Sequence, residues 1–164
     1  MAFVPIIMGS RSDLSHAQAI AGALQALGIQ CEIRVASAHK VTRYLLDMLA
    51  AYEADPQPKV YITVAGRSNA LSGVVDANVT APVIACPPYS DRFGGADLFS
   101  SLRMPSGVAP AVVLEPAAAA LLAAKILALA DPALRERIVQ ARREAAQQVI
   151  EDDESLRKGV RSEA

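Results

Sequence analysis

Four consecutive residues, Ser37, Ala38, His39 and Lys40, place a hydroxyl, an imidazole and a cation at the end of an apolar run. An imidazole titrates near neutrality and can move a proton in either direction there, which makes His39 the candidate acid–base group. The second histidine, His16, falls on a predicted helix and reads as a surface residue. Another polar cluster, "MGSRSD", sets Gly9, Ser10, Ser12 and Asp13 between a predicted strand and a predicted helix. Free backbone N–H groups and the helix dipole attract a phosphate or carboxylate at such a point. Ser10 and Ser12 can donate to the anion, and Asp13 can accept from sugar hydroxyls, although the same residue types also serve as ordinary helix caps. A third cluster, "AGRSNALSG", brackets Arg67, Ser68 and Asn69 between Gly66 and Gly73. Its glycines let the backbone approach a ligand closely, and equally permit a tight turn.

Several chemistries are disfavoured by the same inventory. The "GSRSD" loop is neither a P-loop nor the G-x-G-x-x-G fingerprint, so neither nucleoside triphosphate hydrolysis nor NAD chemistry is suggested. No nucleophile triad is visible, and two histidines without a cysteine cluster argue against a metal site. Cys31 and Cys86 fall in predicted strands at no metal spacing and read as buried thiols, which fits a reducing cytoplasm. A formal net charge of -1 offers no general attraction to nucleic acid or an anionic membrane, so an anionic ligand must be met by a local site. No segment reaches the roughly 18 apolar residues of a membrane span, and the N-terminus lacks the basic region of an export signal. A soluble, cytoplasmic protein is expected. The hydrophobic fraction of 52% is at the upper end for a soluble domain and predicts extra burial, in a large core or at subunit interfaces, so an oligomer is expected.

The clusters must be carried by regular elements. "FVPIIM" (3 to 8) predicts a buried strand ending at Gly9, with Pro5 near its start, where a missing donor is tolerable. Asp13 can cap the next helix, whose apolar residues Ala17, Ile20, Ala21, Leu24 and Leu27 recur at helical spacing until Gly28. The unit repeats with a strand over 30 to 36 and a helix striped by Val41, Tyr44, Leu45, Met48 and Tyr52. It repeats again with a strand over 59 to 65 and a short helix over 68 to 78. Strands over 81 to 86 and 110 to 115 follow, the latter leading into a helix whose first turn holds Pro116. Between them, residues 86 to 110 make a connection long enough to act as a lid or subunit contact. Apolar strands alternating with amphipathic helices predict a doubly wound α/β sandwich with a parallel sheet, whose ligands sit beyond the carboxyl ends of the strands. All three polar clusters lie at such ends, as does "CPPYSD" after the strand over 81 to 86.

From Asp131 onward the composition changes. This stretch holds nearly half of the formally charged side chains, and Leu134, Ile138, Ala141, Ala145 and Val149 form only a narrow apolar stripe. The expectation is a catalytic α/β domain over 1–130, followed over 131–164 by a helical arm that contacts a neighbouring subunit and ends in a frayed charged tail.

Taken in order, "MGSRSD", "SAHK", "AGRSNALSG", "CPP" and "SSLRMPSG" resemble the PurE family of purine biosynthesis, over nearly the whole chain through about residue 128. "SAHK" with "AGRSNALSG" resembles the class II type, aminoimidazole ribonucleotide (AIR) carboxylase. The class I mutases carry Arg after the histidine and an "AAHLPG" loop, where this chain has Lys40 and Ala70. The resemblance implies that CO2 is joined reversibly to C4 of AIR, without ATP, biotin, metal or other cofactor, in a homo-octamer with sites near subunit boundaries. It implies that His39 moves the C4 proton and that Ser10, Ser12, Asp13, Ser37 and Lys40 hold the ribose phosphate. Gly9 and Ala38 complete those loops, and Gly66, Arg67, Ser68 and Asn69 close over the base and CO2. Ser101, Arg103 and Met104 are weaker candidates, reaching towards a neighbour's site. Three rivals remain: an N5-carboxy-AIR mutase, a carboxylase of another heteroaromatic nucleotide, and a non-catalytic phosphate-sugar binding module.

Overall fold

The computed structural model describes the backbone of residues 2–162 and the side-chain surroundings of residues 2–157. Five strands form one wholly parallel sheet: β1 (Phe3–Met8), β2 (Gln30–Val35), β3 (Tyr61–Val64), β4 (Val83–Ala85) and β5 (Ala111–Val112). Their order is β2-β1-β3-β4-β5. The chain therefore winds outward from β1 in one direction to β2 and in the other to β5, leaving the switch point between β1 and β3.

Alternation along the strands sorts the core into two layers. Val4, Ile6 and Met8 of β1 and Ile62 and Val64 of β3 face α1 (Leu14–Ala26) and α5 (Pro116–Leu127). Ile7 and Tyr61 face α2 (Thr42–Glu53) and α3 (Ala70–Asp76), packing with Leu45, Leu49, Leu71 and Val75. Facing alanines line the α1–α5 side: Ala17 and Ala21 on one helix, Ala119, Ala120, Ala123 and Ala124 on the other, all buried. Side chains that short let two helices lie close together.

Pro5 explains why β3 begins later than the apolar run at 59. Phe3 donates to the Pro58 carbonyl and accepts from the Val60 N–H, so pairing starts at a bridge between Phe3 and Lys59. The next donor on that side of β1 would be residue 5, which as proline has none. Regular pairing with β3 resumes at Ile6.

The end of α1 is equally readable. Gly28 sits at φ 70°, the Ile29 N–H reaches the Leu24 carbonyl and the Gly28 N–H reaches that of Gln25, which together make a Schellman motif. Asp13, by contrast, does not cap α1. A short 3-10 turn over Arg11–Asp13 precedes the helix, and the capping oxygen is that of Ser10, which accepts from the Ser12 N–H.

Other expectations are adjusted by packing. Within α2 the buried residues are Leu45, Met48 and Leu49, while Val41 and Tyr44 are 45% and 52% exposed, so the stripe is rotated from the one predicted. The strand expected over 110 to 115 shrinks to two residues at the sheet edge, and Cys31 is only half-buried whereas Cys86 is fully so. The 86 to 110 connection contains a kinked 3-10 segment, Arg92–Leu98, and a short helix, α4 (Phe99–Leu102).

The last helix, α6 (Pro132–Ser162), spans 31 residues, roughly 46 Å at the usual rise of an α-helix. Its first turns belong to the main body, because Leu134 and Ile138 join the core of the α1–α5 layer. Beyond Val139 every described side chain is exposed, Ala141, Ala145 and Val149 of the predicted stripe included. Helix continues through the stretch expected to fray, and only Glu163 and Ala164 of that tail lie outside the described residues.

The two-layer core predicts a sharp contrast along α1. Leu24→Ala, at a fully buried position, should cost about 3 kcal/mol. Gln25→Ala, one residue on and exposed, should cost under about 0.5 kcal/mol; comparison of denaturant midpoints reads the difference.

Candidate active site

A cleft of about 960 Å³ opens at the carboxyl ends of the strands, across the β1–β3 switch point. The β1–α1 loop supplies Gly9, Ser10, Ser12 and Asp13 to its wall, the β2–α2 turn supplies Ser37, Ala38, His39 and Lys40, and the β3–α3 loop supplies Gly66, Arg67 and Ser68. Three loops far apart in sequence thus converge because parallel strands all end on the same side.

Hydrogen bonding in the first loop leaves a donor to spare. The Ser10 hydroxyl oxygen accepts from the Ser12 N–H at 3.2 Å and from the Ser12 hydroxyl at 2.9 Å, and Asp13 Oδ1 lies 3.2 Å from that same hydroxyl. With Ser10 accepting twice, its own proton is free to meet an anion. In the second loop the Val41 N–H donates to the Ser37 carbonyl at 3.0 Å and the Thr42 hydroxyl bonds the Ala38 carbonyl, which closes the turn under His39. His39 and Lys40 are themselves exposed and bonded to no other described side chain. They form the open side of the cleft.

The third loop is held from beneath by a chain of buried polar groups. Thr63, Asn69, Ser72 and Ser101 are the buried polar side chains among the described residues, and all four belong to this chain. The Ser72 N–H and hydroxyl donate to Asn69 Oδ1 at 3.2 and 3.0 Å, capping α3. The Ser72 oxygen lies 2.7 Å from the Thr63 hydroxyl, and Asn69 Nδ2 donates to Ser101 Oγ at 2.9 Å. Ser100 adds a second tie: its oxygen accepts from the Asn69 N–H at 3.0 Å, and its single proton is shared between the Asp97 carbonyl at 2.8 Å and the Arg67 carbonyl at 2.9 Å. Arg67 itself stands at φ 57°, in the left-handed region where a side chain costs on the order of 1 kcal/mol. The bond to its carbonyl helps hold that conformation.

Asn69 is therefore placed otherwise than the sequence suggested. It is 4% exposed and absent from the cleft wall, and its amide is spent on the loop's support. Ser101 is likewise buried against it rather than reaching outward, and Met104 packs over Gly73, with its sulfur 3.1 Å from where a Cβ there would stand. Arg103 is exposed outside the cleft.

Other lining residues were missed. Tyr89 and Ser90 belong to "CPPYSD" at the end of β4, and Arg92 and Asp97 lie further along the connection, where only its length signalled a role. His16, read from sequence as a surface residue, is half-buried and lines the cleft. Its Nε2 lies 3.3 Å from Cys86 Sγ, and desolvation lowers its pKa, against the opposing pull of a hydrogen bond with the Cys86 backbone and of the Asp13 and Glu115 charges. Burial pushes the Cys86 thiol up to about 12, so it remains protonated at neutral pH. Among the described residues no three His, Cys, Asp or Glu side chains group as metal ligands do.

The family model described as AIR carboxylase matches residues 3–148 of this chain. The chain belongs to the AIR carboxylase family. A phosphoribosylaminoimidazole carboxylase of Treponema denticola is 54% identical over 94% of this chain and 98% of its own length. The enzyme of that name from Archaeoglobus fulgidus is 55% identical over 93% of this chain and 83% of its own. The human bifunctional phosphoribosylaminoimidazole carboxylase/phosphoribosylaminoimidazole succinocarboxamide synthetase is 46% identical over 78% of this chain, which spans 30% of that longer protein. The crystal structure of Treponema denticola PurE superposes with a TM-score of 0.93 at 53% identity, covering 95% of this chain and 99% of the other. As in that relative, the AIR carboxylase fold here is a doubly wound parallel α/β sandwich.

Because Asn69 serves two serines at once, Asn69→Ala should strand buried donors and acceptors and cost about 2–3 kcal/mol. Amide hydrogen exchange should rise together over 66–69 and 97–101. A change confined to 66–69 would show that the two segments are not coupled through this side chain.

Proposed function

We propose that the cleft catalyses the class II reaction of the family, ATP-independent and reversible addition of CO2 to C4 of AIR, giving 4-carboxy-AIR for purine (IMP) biosynthesis. The observation that carries this reading is the convergence of "GSRSD", "SAHK" and "GRS" on one cleft, in a chain whose full-length relatives are named phosphoribosylaminoimidazole carboxylases.

The chemistry asks little of the protein. AIR's amino-imidazole is an enamine with a nucleophilic C4, so holding CO2 beside it in a shielded site is sufficient for attack. The C4–carbon bond forms as one C–O π pair moves onto oxygen. C4 is then tetrahedral, bearing both hydrogen and carboxylate, with positive charge delocalised over the ring nitrogens. His39 takes the C4 proton, the C–H pair restores the aromatic ring, and the proton passes on to solvent; decarboxylation runs the same steps backwards. His39 suits this role because its ring is exposed to the cleft and engaged by no described neighbour.

Binding roles follow from charge and donor type. Lys40 meets the phosphate as a point charge, with Ser10, Ser12 and Ser37 donating to its oxygens. Asp13 accepts from ribose hydroxyls. Gly66, Arg67 and Ser68 cover the base and CO2, with Asn69 positioning that loop from below. No metal, biotin or nucleotide cofactor takes part in this scheme.

We also infer that the enzyme is a cytoplasmic homo-octamer. Support comes from the apolar groups left open on the single chain, with Tyr89 91%, Phe93 86%, Phe99 73% and Leu129 87% exposed, and from an arm with no core of its own past Val139. No described helix is long and apolar enough to cross a membrane. Native mass spectrometry should give eight copies, and deletion of residues 140–164 should lower that number.

The decisive assay supplies AIR with bicarbonate-derived CO2 and no ATP, alongside N5-carboxy-AIR under CO2 depletion. Turnover of AIR that rises with CO2 is expected. Use of N5-carboxy-AIR alone would make the chain a mutase, and AIR binding without turnover in either assay would make it a binding module. His39→Asn should still bind AIR while losing about 10²- to 10⁴-fold in rate; a near-normal rate removes His39 from the proton step.

A further inference from the structure

His16 is the one imidazole that this mechanism leaves idle, yet it stands where a ligand would meet it. It lines the main cleft and also a side chamber of about 350 Å³, walled by Pro87, Pro88, Leu98 and Leu114. The ring lies between the two spaces.

Its hydrogen-bonding state can be worked out from its neighbours. Cys86 is fully buried, and its sulfur lies 3.6 Å from the Leu114 carbonyl, an oxygen that can only accept. With the single thiol proton directed to Leu114, a sulfur lone pair faces His16, 3.3 Å away, and the tautomer that fits this arrangement carries its proton on Nε2. Nδ1 is then an unprotonated acceptor. Beyond Cys86 no described residue bonds the ring, and no buried side-chain nitrogen or oxygen among them is left unsatisfied, so a ring nitrogen that Cys86 does not engage is open to solvent.

Resting on the carboxylase reading above, we propose that His16 is a substrate-positioning residue whose neutral Nδ1 accepts a hydrogen bond from the exocyclic amine of AIR. Most other cleft groups suit different tasks. Serine hydroxyls, Lys40 and Arg67 suit the phosphate and carboxylate as donors, Asp13 is the acceptor adjoining the sugar-phosphate loop, and Asp97, a second carboxylate on the wall, is the competing acceptor for the amine. An amine has two N–H donors, and a neutral acceptor on the wall beside that loop orients it without drawing electrons from the ring, as a cation would. Cys86 sets the tautomer and acts through His16 rather than on the substrate.

The test combines kinetics with spectroscopy. His16→Phe keeps the ring's bulk but removes the acceptor, and should raise KM for AIR about tenfold, more than it lowers kcat. His16→Asn, whose amide oxygen falls near the position of Nδ1, should recover most of that loss. In enzyme labelled with 15N-histidine there are only two imidazoles, and the His39→Asn background leaves His16 alone. Solid-state spectra should show Nε2 protonated and Nδ1 bare, with the Nδ1 resonance moving on AIR binding. The same spectrum with a deamino analogue of AIR should leave Nδ1 unmoved; a shift with that analogue would place the contact on a ribose hydroxyl and overturn the assignment to the amine. An Nδ1 signal indifferent to saturating AIR, or His16→Phe binding AIR as the unaltered enzyme does, also overturns it. Failure of the unaltered enzyme to bind AIR overturns the carboxylase reading, and this inference with it.

Discussion

The site depends on a hydrogen-bonded chain sealed beneath it. Thr63 on β3, Asn69 and Ser72 around the start of α3, and Ser101 in α4 are buried side chains whose polar atoms would each be costly to leave alone. Each is satisfied chiefly by another member, so the four residues fix one another's positions. The chain runs from the centre of the sheet to the segment after β4, and the 66–69 loop is suspended from it. A left-handed Arg67 can persist there because its carbonyl shares the Ser100 proton with that of Asp97 and because Asn69, two residues on, is tied to Ser101. Rigid support below and open side chains above are what a loop needs if it is to meet a small, weakly held molecule such as CO2.

Sheet topology does the rest. With β1 and β3 adjacent and their connections leaving to opposite faces, the space above their ends is bounded by loops on both sides and covered by neither helix layer. Serine and aspartate from one loop, imidazole and ammonium from the next, and guanidinium from the third enter that space without any of them having to cross the core.

Much of this was legible in the sequence, for physical reasons that also mark where legibility stops. Strands β1 to β4 and helices α1, α2, α3 and α5 announce themselves by period and by punctuation such as Gly28 and Pro116. Polar residues just beyond strand ends point to the cleft. Asn69 misleads because an asparagine that caps a helix and one that binds a ligand have the same sequence context; only its burial separates them. His16 is hidden for a different reason, since its partner Cys86 is 70 positions away and no periodicity links the two. The α2 stripe is displaced because Tyr44 turns to the surface to bond Arg34, and β5 is curtailed by its place at the sheet edge.

The alanines between α1 and α5 carry a further meaning. The start of α1 presents Ser12, Asp13 and His16 to the cleft, and Pro116 at the start of α5 presents another part of its wall. The separation of the two helices is therefore also a dimension of the binding site, and Ala17, Ala21, Ala120 and Ala124 act as its spacers. A larger side chain at any of them would wedge the helices apart and widen the cleft from behind, at a distance from every ligand atom. Drift in such a seam would be felt by selection as a loss of substrate affinity before it was felt as a loss of fold, so its smallness is a functional trait kept in the core.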